Sequence, residues 1–317
     1  MSYSGIYMSS SAMTSRASAV FAAALVCAAA LAQTVTPPNE TIKVNVRLVN
    51  VFATVTDQQG APLAKLDKKN FEIREDGVPQ DIAFFGKENE LPLSIVLAVD
   101  ASLSTKKDLA LELESARRFA HSILRPIDAM ALYRFAEDVD DLTSFTSDLK
   151  RIDRAIQRVR VGSATALYDA VFLASEALEK RQGRKVLVVI TDGGDTISSV
   201  NYAEALRQAQ ASEAVVYSIV VVPIEASAGR NTGGEHALIQ LSHDTGGKHF
   251  YASSAPQLEE VFREIGDELR TQYLLAYYPK QRLSDSDFRH IEVRVTAPTA
   301  EGGEAKVRNR SGYYVHK

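Results

Sequence analysis

Residues 93–104 read LSIVLAVDASLS, and this stretch decides the fold. Ser94–Val99 is an apolar run with no polar alternation, the pattern of a strand buried on both faces in a parallel sheet. It stops on Asp100, and hydroxyls follow at Ser102 and Ser104. Downstream, Leu109, Leu113, Ala116, Ala120 and Ile123 form one stripe of a helix expected over 106–124. The rhythm then repeats, with strands at 130–135, 186–190, 215–221 and 249–251 and helices at 147–159, 166–180, 201–212 and 255–271. A further helix is expected before 249, and 224–234 (IEASAGRNTGG) reads as a flexible loop. Alternating strands and helices of this kind predict a doubly wound, mostly parallel sheet.

Both flanks have a different rhythm. Ile42, Val44, Val46 and Leu48 alternate with polar neighbours, and Val51, Ala53 and Val55 continue after a slip at Asn50 that suggests a bulge or bend. Asp57–Gly60 reads as a turn, Phe71–Glu75 as a strand, Asp76-Gly77 as a hairpin turn and Ile82–Phe85 as a strand. After Gln272, strands are expected at 273–278, at 291–295, near Val307 and at 313–315. Each flank is short of strands for an independent fold, so the two are expected to pair into one small β-sandwich with the α/β domain inserted. The expected division is 1–32 signal peptide, 33–90 N-terminal β segment, 91–271 α/β domain and 272–317 C-terminal β segment.

The chain has 317 residues and a net charge of −4 with no long basic run, which argues against a nucleic-acid partner. Cys27 is the single cysteine, so an internal disulfide framework and a Cys-based zinc site are excluded. Residues 17–32 (ASAVFAAALVCAAALA) follow Arg16 and end in a small-x-small site, the three parts of a secretory signal. Initiation at Met13 rather than Met1 would make that signal more compact. The run is short for a membrane span. The expectation is a secreted or periplasmic protein with no membrane span in the mature chain; an uncleaved N-terminal anchor is the alternative.

Three oxygen-bearing segments fall where strands end or helices begin. They are Asp100-Ala101-Ser102-Leu103-Ser104, then Gly162-Ser163-Ala164-Thr165, then Thr191-Asp192-Gly193-Gly194-Asp195. Hard cations take oxygen ligands, and Mg²⁺ wants six in near-octahedral order. Two carboxylates and three hydroxyls would leave room for water and one outside ligand. The alternatives are ordinary: Ser102, Ser104 and Thr165 as helix caps, Asp192 as a turn residue. Asp195 reads as a turn or cap residue, Asp169 as structural, and His243 and His249 as surface or loop histidines.

Taken in order, these segments resemble the von Willebrand factor A domain and its metal-ion-dependent adhesion site, over roughly residues 91–271. The family pattern Asp-x-Ser-x-Ser, later Thr, later Asp is complete in Asp100, Ser102, Ser104, Thr165 and Asp192. The resemblance implies that these five hold Mg²⁺ (or Mn²⁺/Ca²⁺) and that a protein partner supplies an Asp or Glu to the metal. The flanks, NFEIREDGVPQDIAFF and QYLLAYYP, look like those of bacterial secreted proteins of this type. In some relatives the last helix, here 255–271, moves with metal occupancy. The expected function is therefore a non-enzymatic, metal-dependent protein-binding module. A Mg²⁺-dependent hydrolase or phosphotransfer enzyme is one alternative, with no Gly-x-Ser-x-Gly elbow or Gly-Lys-Ser/Thr phosphate loop to support it. A metal-independent scaffold, binding a partner strand along a sandwich edge, is the other.

Overall fold

The computed structural model describes residues 48–87, 91–222, 232–281, 288–296 and 303–315. The expected signal, Cys27, the strand positions 42–46 and residues 224–231 of the expected loop lie outside them. Strand β5 (Leu93–Asp100) is buried along its whole length, as the unbroken apolar run requires. It pairs in parallel with β6 (Ala129–Phe135) on one side and β8 (Arg184–Thr191) on the other. Beyond β8 come β9 (Val215–Val221) and β10 (His249–Ala252), both parallel. The order β10-β9-β8-β5-β6-β7, with β7 (Val139–Thr146) at the edge, makes a six-stranded sheet. After β5 the chain builds outward to β6 and β7, then returns to build on the other side from β8. The direction of winding therefore reverses between β5 and β8, and ligands of open α/β sheets bind at the carboxyl ends flanking such a point.

Helices cover both faces. Helices α1 (Leu109–Ile123), α2 (Leu149–Ile156) and α6 (Ala255–Thr271) bury Phe119, Ile152 and Phe262 against Ile95, Leu97 and Val99. Helices α3 (Leu167–Glu179), α4 (Tyr202–Ala211) and α5 (Thr232–Thr245) pack Leu167, Ala209 and Leu241 on Val96 and Ala98. Full burial of one such Leu, Ile or Val is worth about 1.5–3 kcal/mol, so alternation of faces along β5 ties both layers to one strand. α1 starts later than expected, because Ser104–Lys107 forms a separate 3₁₀ turn. α5 begins at Thr232, inside the stretch expected to be loop.

Strand β7 (Val139–Thr146) has no counterpart in the sequence reading. It is the antiparallel edge strand, with irregular register against β6, and its half-exposed VDDLTSFT carries little periodicity. The flanks form two four-stranded sheets, β13-β1-β11-β4 and β14-β12-β2-β3. In the first, β1 (Val49–Thr56) lies between β11 (Tyr273–Tyr277) and β13 (Lys306–Arg308), beyond which β11 pairs with β4 (Ile82–Lys87). In the second, β12 (Phe288–Val295) joins β2 (Phe71–Glu75) to β14 (Gly312–Tyr314). Each sheet thus mixes the two ends of the chain, and Val51, Ile73, Tyr277 and Val293 share one core between them. This is the expected sandwich with the α/β layers inserted.

Two local expectations change. The β1–β11 ladder runs without a register shift across Asn50, so no bulge interrupts it there. The hairpin turn is at Asp76-Gly77, both with positive φ (47° and 78°), the geometry of a type I′ turn that glycine makes easy at its second position. Its returning strand is the short β3 (Val78–Gln80) rather than 82–85. Pro79 fits there because β3 is an edge. The chain then crosses at Asp81 to the other sheet as β4.

Candidate metal centre

The site grows from the end of β5. Asp100 is 0% exposed and its carboxylate accepts from the Ser102 backbone N–H at 2.8 Å and from the Thr191 hydroxyl at 2.6 Å. Thr191 is the last residue of β8, so this bond ties together the two strand ends at the switch point. The Thr105 hydroxyl donates to the Ser102 carbonyl at 2.9 Å and holds the turn. That turn brings the Ser102 and Ser104 hydroxyls to 3.0 Å from each other, and Ser104 donates to Asp192 Oδ1 at 3.0 Å. Four of the five expected residues therefore converge. The serines do not act as caps; α1 follows Asp108, which makes no side-chain capping bond.

Thr165 arrives separately. The Gly162 N–H donates to the Ala101 carbonyl at 2.7 Å, bringing the Gly162–Thr165 segment against the first loop. A β-carbon at Gly162 would collide with Ala136 and with the side chains of Arg134 and Glu137, so only glycine allows this approach. Arg134 Nε donates to the Arg160 carbonyl at 3.0 Å, and Glu137 accepts from the Ser163 N–H at 2.7 Å. Thr165 is buried, with its N–H donating to the Thr196 hydroxyl at 2.9 Å. Its own hydroxyl forms no hydrogen bond to the other four residues. It does not cap α3 either. That helix start is served from the loop after β8: Asp195 accepts from the Tyr168 N–H and from the Ser198 hydroxyl, while Ser198 Oγ accepts from the Asp169 N–H. Asp169 in turn accepts from the Ser199 and Val200 N–H groups. Asp195 and Asp169 are thus rivets between the site loop and α3. His243 is exposed beside Asp244 at the end of α5, and His249 is half-buried on β10.

The electrostatics of this rim are one-sided. Burial pushes the Asp100 carboxyl up to about 6, and burial likewise raises Asp192. A third acid joins them. Glu112 on α1 is 2% exposed, and burial, reinforced by the charges of Asp100, Asp192 and Asp108, pushes it up to about 8. Among the described residues, no Lys, Arg or His forms an ion pair with any of the three. Uncompensated buried charge of one sign is costly, and a cation relieves it. Among the described residues no group of three or more His, Cys, Asp or Glu side chains is arranged to hold a metal. A cation at this rim would thus be held by two carboxylates and by hydroxyls, and that oxygen-only set fits a hard divalent ion. Glu112 escaped the sequence reading. The signal was present: it sits three residues from Leu109 and four from Ala116, a charged residue on the core-facing stripe of an amphipathic helix.

Residues 95–194 match the family model for the von Willebrand factor type A domain. Among solved structures, a von Willebrand factor type A protein from Catenulispora acidiphila superposes with a TM-score of 0.51 at 10% identity, covering 87% of this chain and 76% of that one. Proximal thread matrix protein 1 from the mussel byssus, solved with zinc in its metal-ion-dependent adhesion site motif, gives a TM-score of 0.50 at 17% identity. That match covers 62% of this chain and 49% of the mussel protein, so the chain spans about half of its length. The conserved hypothetical protein BatB from Bacteroides thetaiotaomicron gives 0.45 at 20% identity, over 56% of this chain and 98% of that one. No curated protein matches significantly. The α/β layers of this chain have the von Willebrand factor A fold. No helix among the described residues is long and apolar enough to cross a membrane.

Proposed function

We propose that this protein is an exported module that binds a protein partner through a divalent cation. The cation would sit at the carboxyl end of β5 and β8, held by Asp100, Ser102, Ser104, Thr165 and Asp192. The observation that carries this reading is the acidic rim of Asp100, Asp192 and Glu112, with no basic partner among the described residues, lying beside a hydrogen-bonded run of hydroxyls at the switch point. Mg²⁺ is the first choice of ion, with Mn²⁺ or Ca²⁺ as alternatives. When bound, the ion supplies a positive centre for an incoming carboxylate. The residues do the rest: with the hydroxyls touching the ion and the aspartates acting in part through water, much of the ion's charge is left uncancelled, so an Asp or Glu of the partner is attracted to the remaining position. Thr191 and the Ser102 N–H fix the Asp100 carboxylate in place.

The rim also offers apolar contact. Leu103, between the two serines, is 61% exposed, and Ile197 in the loop after β8 is 53% exposed. Apolar side chains next to a charged anchor suit a protein surface. In this reading the binding domain is 91–271, with 1–32 as a signal removed on export and 33–90 with 272–317 as a carrier sandwich.

Calorimetric titration of the purified chain with Mg²⁺ and Mn²⁺ tests the reading, alongside Asp100→Ala. Binding by wild type and its loss in the variant is the expected result. No binding by wild type overturns it. Partner capture that persists unchanged in EDTA would instead favour a metal-independent contact through the sandwich.

A further inference from the structure

Glu112 has a need that no other described residue meets. It is 2% exposed, and among the described residues neither of its carboxyl oxygens has a hydrogen-bond partner. The buried carboxyl groups of Asp128 and Glu268 are served on both counts, and Glu75 accepts from the Tyr277 and Tyr313 hydroxyls through one of its oxygens. Asp128 accepts from the Leu93 N–H at 2.9 Å and pairs with Arg125 at 2.8 Å. Glu268 accepts from the Tyr217 hydroxyl at 2.7 Å and pairs with Arg308 at 2.6 Å. Glu112 is left with none of this, and a buried polar group in that condition calls for an explanation.

Its surroundings point to the answer. Glu112 lies one helical turn after Asp108, and the charges of Asp100 and Asp192 reach it. It lines a cavity of about 510 Å³ between α1, the ends of β9 and β10 and the start of α6, together with Asp108, Leu111, Val221 and Pro256. That cavity has room for several waters. Lys107 lines it too, yet forms no ion pair with Glu112. The acid thus borders a cavity at the carboxyl-end rim of the sheet, with both carboxyl oxygens closed off from solvent and no donor to them among the described residues.

We propose that Glu112 is a further acid of the cation site, set outside the oxygens that would touch the ion and accepting a hydrogen bond from a water that the ion holds. The inference rests on the cation reading above and deepens it. Acids placed one layer out from a bound metal orient its ligands, and their loss lowers affinity by about 10–100-fold. The role fits the absence of a three-acid metal cluster among the described residues, because Glu112 need not share the ion with both aspartates. It also explains why an ionisable group is kept on a core-facing helical stripe where a leucine would pack better.

The experiment compares wild type, Glu112→Gln and Glu112→Leu by Mn²⁺ calorimetry and by thermal melting in EDTA. Gln keeps the shape and removes the charge. The expected result is at least a tenfold rise in the Mn²⁺ Kd for Glu112→Gln, together with a higher melting temperature in EDTA for Glu112→Leu. A purely structural glutamate would give the opposite in the second measurement. Wild-type and Glu112→Gln affinities that agree within twofold overturn the proposal while the cation site stands. A lower melting temperature for Glu112→Leu in EDTA overturns it as well. Absence of Mn²⁺ binding by wild type removes the cation reading itself and this inference with it.

Discussion

Glu268 and Glu112 project from α6 and α1, two helices packed on the same face of the central sheet, and both are almost fully buried. Glu268 sits towards the amino ends of the strands. It accepts from the Thr54 hydroxyl at 3.2 Å and from Tyr217, and Arg308 neutralises it. Beside it, Gln272 donates to Thr54 and accepts from Arg184 at 2.6 Å. Thr54 and Arg308 come from the sandwich, so this network fastens the sandwich to the last helix. Glu112, at the carboxyl ends, shares its rim with two more acids and has no cationic partner among the described residues. One buried glutamate is complete within the chain and serves architecture. The other finds no partner among the described residues. Buried charge that is internally paired is a structural signal; buried charge that is unpaired is a ligand signal.

Breaking the paired end should have the largest effect. Arg308→Ala leaves Glu268 buried without its counter-charge and should lower stability by about 3 kcal/mol, read by urea unfolding. If the loss is under about 1 kcal/mol, Glu268 is not held by charge pairing and the contrast weakens. At the other end, Asp100→Ala should weaken Mn²⁺ binding at least a hundredfold, about 2.8 kcal/mol, while costing little stability in EDTA. The buried charge it removes offsets the Thr191 hydroxyl bond it breaks. A smaller effect follows from Ser102→Ala, which deletes one neutral oxygen and should raise the Mn²⁺ Kd about tenfold with the fold unchanged by circular dichroism. An unchanged Kd would take Ser102 out of the ion's surroundings.

The mildest prediction concerns pH. The Glu112 carboxyl is raised to about 8 in the folded chain, so the folded state holds its proton where the unfolded chain has lost it. The stability tied to that proton is present below the ordinary glutamate range and is lost as pH rises towards 8. In EDTA, the melting temperature should therefore fall by a few degrees between pH 6.5 and 8.5. The fall should be smaller in Glu112→Leu, and saturating Mg²⁺ should reverse it. The carboxyls lowered by their arginines, Asp76 and Asp128, act below this window, and the His249 imidazole, lowered by burial, acts at its acid edge. A wild-type curve that is flat or rises across the window would show that Glu112 is not strained by its surroundings.

Much of the fold was readable because burial on two faces leaves a plain mark. The runs 94–99 and 215–221 could only be inner strands, and the helix at 255–271 and the strand at 71–75 fall where the pattern put them. Elements missing from the reading are those with weak burial contrast. The edge strand β7 is half-exposed, and β3 is a three-residue edge strand that contains Pro79. Of the candidate site, the convergence of Asp100, Ser102, Ser104 and Asp192 was legible because each ends or follows an inner strand, where chain direction places it at the carboxyl rim of the sheet. Glu112 was not, since a single charge in an apolar stripe does not say whether it will find a partner.

The sequence by itself determined which strands are internal, that both flanks are β, and which oxygens gather at the carboxyl edge, because these follow from periodicity and chain order. Tertiary structure alone decided that the two flanks interleave strand by strand, that Asp195 rivets α3 rather than facing the rim, and that Glu268 is neutralised while Glu112 is not. Partners come from residues as much as 260 positions away along the chain, as in the bond from Arg310 to the Asn50 carbonyl, and only folding brings such groups within the few ångströms over which charge and hydrogen bonding act.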